Sequence, residues 1–208
     1  MKIKPLLRGH FHQAMFFVAI GALTPLIFRC DTLNKKIAII VYTFCALLMF
    51  GISSLYHRVT WTMPQRAAWK KIDHMGIYLM IAGTFTPVAL LALNSNSGNK
   101  LLLIIWSIAF IGILQSSIFV NFPKLVNAAF YLAMGYIILP YLQELEQTIG
   151  GTNLWLIILG GICYSIGAII YGLKRPILYP KYFSYHEVFH CLVNLGAVFH
   201  FIVIQSLV

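Results

Sequence analysis

Long apolar stretches dominate this chain, and short polar breaks separate them. The runs cover roughly 13–29, 37–57, 72–93, 101–120, 124–143, 152–173 and 184–208. A helix that crosses the hydrocarbon layer needs about 20 residues, so each run predicts one transmembrane helix and the pattern predicts seven. The breaks carry turn chemistry: Asp31-Thr32-Leu33-Asn34, Asn94 to Asn99, Phe122-Pro123, Gly150-Gly151 and Lys174-Arg175-Pro176. No repeat, low-complexity tract or linker interrupts them. The expected architecture is an all-α membrane protein, with residues 1–208 forming a single seven-helix transmembrane domain. The first run has cationic residues before it, as a signal peptide does. Pro25 and Arg29 follow without a small-x-small cleavage pattern, so a retained anchor is expected.

Composition agrees with this reading. The 208 residues are 60% hydrophobic and 10% charged, against about 45–50% and about 25% in soluble domains. A soluble enzyme and a disordered chain are both excluded. The formal charge is +10, but cations that flank spans account for it, so no nucleic-acid partner is expected. Eleven Lys and Arg fall on one side: Lys2, Lys4, Arg8, Arg58, Arg66, Lys70, Lys71, Lys124, Lys174, Arg175 and Lys181. Only Arg29, Lys35, Lys36 and Lys100 fall on the other. This asymmetry predicts a cytoplasmic N-terminus and an outside C-terminus, opposite to G-protein-coupled receptors. The last run has no Lys for a retinal Schiff base. Cys30, Cys45, Cys163 and Cys191 show no C-x-x-C pair and read as small packing groups.

Ionisable residues inside spans are rare and usually functional. Span counting puts His57 at the cytoplasmic end of the second span, Asp73 and His74 at the start of the third, and His186 and His190 in the first turns of the seventh. Three helices thus deliver polar groups to one membrane level. His186 and His190 are four apart and share a helix face. With His57 they form a candidate three-histidine metal site with one open position. Asp73 is the candidate base, able to orient and deprotonate a metal-bound water. Ser53, one turn before His57, is a candidate hydrogen-bonding support. Plainer readings stand beside these. Asp73 caps the third helix and pairs with Lys70, Ser53 bonds back to its own helix, and His10, His12, His74 and His200 pack. His186-Glu187-Val188-Phe189-His190 also satisfies the H-E-x-x-H pattern of zinc proteases. The motif lies on the last span with no acid after it, which counts against a protease.

Several blocks resemble the hemolysin III proteins. They are Ser53-Ser54-Leu55-Tyr56-His57, Ile72 to Tyr78, Ala82-Gly83-Thr84-Phe85-Thr86-Pro87, and His186 to His190 continuing to Phe199-His200-Phe201. That family belongs with the progestin and adipoQ receptors and is distantly similar to alkaline ceramidases. The resemblance covers nearly the whole chain. It implies seven helices, a cytoplasmic N-terminus and Zn²⁺ near the cytoplasmic face. It carries the family's metal histidines onto His57, His186 and His190, its Asp onto Asp73 and its motif Ser onto Ser53. Glu187 is not part of the family pattern and reads as incidental. The animal receptors carry longer N-terminal extensions that this chain lacks, which counts against a protein-ligand receptor. The expected function is zinc-dependent hydrolysis of a lipid amide or ester, in the inner (plasma) membrane, with a membrane lipid as substrate or ligand. The alternatives are a membrane-homeostasis or receptor-like protein with structural zinc, and a pore-forming hemolysin.

Overall fold

The computed structural model describes residues 5–118 and 123–208. Lys2, Lys4 and Phe122, which entered the charge and turn readings, lie outside the described residues. Regular structure is all helical: α1 (His10–Arg29), α2 (Leu33–Arg58), α3 (Met63–Leu91), α4 (Ser95–Ile118), α5 (Lys124–Gly135), α6 (Leu142–Leu173) and α7 (Tyr185–Ser206). A 3₁₀ segment, Tyr136–Tyr141, joins α5 to α6. Among the described residues, six helical stretches are long and apolar enough to cross a membrane, and Leu125–Leu173 counts as one of them. The chain is a multi-pass membrane protein.

Capping chemistry sets several helix starts. Thr32 accepts a hydrogen bond from the Lys35 amide at 3.3 Å, and Gln65 Oε1 accepts from the Thr62 amide at 3.1 Å. The helices begin earlier than the apolar runs: α2 at Leu33, α3 at Met63 and α4 at Ser95. Hydropathy marks where the chain meets hydrocarbon, whereas caps and backbone hydrogen bonds mark where the helix begins. Asp73 therefore does not cap α3. It sits about three turns inside, and Thr62 is the cap.

The stretch Leu125–Leu173 contains 49 residues and would extend about 74 Å if straight, far more than a bilayer core of about 30 Å. It doubles back instead. A Cβ on Gly172 would lie 3.0 Å from Leu125 Cδ1, and Tyr136 Oη and Ser165 Oγ are 2.8 Å apart. The reversal uses Gly150, whose φ of 76° and ψ of 161° are non-helical and which needs the freedom of glycine. The expected break at Gly150-Gly151 is thus a single-residue turn, with no loop around it.

α3 is central. Its buried Tyr78, Ala82 and Phe85 pack with Leu101, Ile105 and Ala109 of α4 and Met134 of α5. Met80 joins Ile39, Met49 and Phe50 of α2 and Ala197 of α7. Close approach of α3 to α2 requires Gly83, since a Cβ there would lie 2.5 Å from Cys45 Cβ. On α6, Gly160 and Gly167 let the helix pack closely, against His200 and Phe189. A Cβ on Gly161 would meet nothing within 4 Å, so Gly161 is not a packing residue. The outer surface is apolar, with Phe28, Phe44, Leu103, Phe110 and Trp155 all exposed, as hydrocarbon solvent demands.

Candidate metal centre

Three helices bring polar groups to one end of the bundle. His57 lies in the last turn of α2, Asp73 in α3, and His186 and His190 in the first two turns of α7. The three imidazoles are buried, with His190 only 1% exposed. His57 Nε2 and His186 Nε2 are 3.2 Å apart. One nitrogen from each of His57, His186 and His190 lies within 4.8 Å of the others, so the group is able to hold a metal ion. His57 Nε2 is 3.8 Å from Asp73 Oδ2. Ser53 lines the same cavity wall as His57 and Asp73, with its hydroxyl toward the Asp73 carboxylate. All five residues singled out in the sequence thus meet at one place.

They sit at one end of a largely apolar cavity of about 270 Å³. His200, ten residues and about 15 Å farther along α7, lines its other end. His200 Nε2 bonds the Ile157 carbonyl oxygen at 3.2 Å, and His74 Nδ1 meets the Lys70 carbonyl oxygen at 2.7 Å. Among the described residues that line the cavity, Asp73 is the only carboxylate and none is Lys or Arg.

Three residues at the site were not read as part of it. Tyr171, near the end of α6, lines the cavity with its ring 5.5 Å from that of His186, edge to face. His12 of α1 was expected only to pack, yet its ring stacks on His190 with centroids 3.7 Å apart and planes 4° apart. Glu187 is not incidental. Its Oε2 accepts from the Ser184 amide at 2.9 Å, closing the capping box of α7, and its Oε1 pairs with Arg8 Nε. Both oxygens are engaged away from the histidines. The H-E-x-x-H match is therefore a helix cap beside two metal-competent imidazoles, and Glu187 does not stand where that motif's general base would.

A family model described as haemolysin-III related matches residues 1–201. The chain belongs to that family. Among its haemolysin-III relatives is the hemolysin-3 homolog of Bacillus subtilis (strain 168), 34% identical over 72% of this chain and 70% of the relative. Hemolysin-3 of Bacillus cereus is 31% identical over 91% of this chain and 85% of the relative. The chain is also similar to the human monocyte to macrophage differentiation factor, at 24% identity over 82% of this chain and 70% of that protein.

Proposed function

We propose that this haemolysin-III-related protein hydrolyses an amide or ester of a membrane lipid at a zinc ion held by His57, His186 and His190. Residues 1–208 form one transmembrane domain of the inner (plasma) membrane, with seven crossings, a cytoplasmic N-terminus and an outside C-terminus. The doubling back at Gly150 supports counting Leu125–Leu173 as two crossings, and the eleven-to-four division of Lys and Arg supports the orientation.

The observation that carries this reading is three buried imidazoles converging beside one carboxylate at the polar end of an apolar cavity. Two nitrogens bound tetrahedrally at about 2.0–2.1 Å from zinc stand about 3.3 Å apart, close to the 3.2 Å between His57 and His186. Imidazole donors without thiolate suit that ion. Bound there, zinc supplies a water acidified to a pKa of about 7 and polarisation for a carbonyl. Asp73 takes the proton of the attacking water through its carboxylate and later returns it to the leaving group. The Ser53 hydroxyl, turned toward that carboxylate, holds it in place. The apolar cavity takes the acyl chain and excludes water. Its lack of Lys and Arg among the described lining residues fits an uncharged amide or ester rather than a phosphate head.

Elemental analysis of purified protein tests the ligands. Wild type is expected to hold about one zinc and His186→Ala little; equal metal in both would end the proposal. Turnover of lipid extracts tests the base. Asp73→Asn is expected to keep its metal and lose about 10²–10⁴-fold in rate. A structural clamp between α2 and α7, the runner-up reading, follows if Asp73→Asn changes nothing.

A further inference from the structure

We infer that His12 is a positioning residue of the metal centre, its ring face holding the His190 imidazole in place. This rests on the zinc reading above. A metal-bound imidazole is usually oriented by a hydrogen bond from its second nitrogen. His190 Nδ1 is buried and has no such partner among the described residues. What lies against the ring instead is the parallel face of His12 at 3.7 Å. Phe50 backs His12 edge to face at 5.3 Å, so the stack has a rigid support.

The register of α1 on α7 is built around this contact. Arg8, one turn before His12, pairs with Glu187, which precedes His190 by three residues. Asn194, one turn after His190, donates from Nδ2 to the Phe11 carbonyl oxygen at 2.9 Å. Polar pins thus sit below and above the stacked pair, and α1 and α7 run side by side in the same direction. Gly9, at φ 83°, brings the strap before α1 against His57; a Cβ there would lie 2.8 Å from His57 Cβ.

The electronics of the contact add a second argument. An imidazole that carries a cation on one nitrogen has an electron-poor ring, and a π face laid over it is attracted to the charge. That attraction exists only when His190 holds an ion.

The test compares zinc retention against a chelator in purified wild type, His12→Leu and His12→Phe, with cobalt absorption as a second readout. Leu fills the space without a ring face, and Phe keeps the face. His12→Leu is expected to lose about tenfold in zinc affinity, the scale seen for groups that orient ligands. His12→Phe is expected to retain zinc at wild-type tightness, with a shifted cobalt band. Wild-type affinity in His12→Leu, or equal loss in both variants, would overturn the inference while leaving the three ligands intact. Wild type without zinc would overturn both readings, and elemental analysis of the same preparations separates the two cases.

Discussion

Glu187 joins two jobs in one side chain, capping α7 and pairing with Arg8. It is 1% exposed, so removing its charge leaves the Arg8 guanidinium half-buried and unmatched. Glu187→Leu is expected to lower stability in detergent by about 3 kcal/mol, and adding Arg8→Met should recover part of that, because the pair is costly mainly when broken. Thermal unfolding of the two variants measures this; a double variant no better than Glu187→Leu alone would remove the ion-pair account. Ser53→Ala removes the hydroxyl toward the Asp73 carboxylate. It should cost about tenfold in lipid turnover, as supporting hydrogen bonds do, with zinc content unchanged. The convergence of the five candidate residues was readable in advance because each sits at a depth fixed by counting along its own helix. The stacking of His12 and the pairing of Glu187 with Arg8 were not. Both depend on how α1 registers against α7, and spacing within either helix says nothing about that.

At the scale of elements, close approach of α2 and α3 sets the distance between His57 and Asp73. Gly83→Ala puts a Cβ 2.5 Å from Cys45 Cβ and is expected to destabilise the protein by about 1–3 kcal/mol. Gly161→Ala, with open space around the new atom, should fall within about 0.5 kcal/mol of wild type. Parallel thermal midpoints decide between a steric and a propensity effect. The hydropathy pattern located every one of these helices, yet it misjudged their starts. The polar turn 63–71 is helical because Thr62 and Gln65 cap it, a short-range signal that an apolar count passes over. The 3₁₀ segment was likewise hidden, since helical hydrogen bonding continues on both sides of it, whereas Gly150-Gly151 marked its turn in the sequence.

Across the whole molecule, orientation is the property that charge alone predicts. In intact cells, Ser97→Cys in the first turn of α4 should react with a membrane-impermeant maleimide, and Lys181→Cys in the loop before α7 should not. The reverse pattern would invert the topology and put the histidines at the outer face. The all-helical architecture was legible because so apolar a chain has few other ways to satisfy its backbone in lipid. The cavity was not, since it is the space left between helices and has no residue pattern of its own.

The pairing of Arg8 with Glu187 joins two segments 179 residues apart, and His57 must wait for a partner 129 residues downstream. Synthesis therefore exposes each imidazole in turn, and the three-histidine group becomes complete only as the final helix leaves the ribosome. Its assembly belongs to the last moments of membrane insertion.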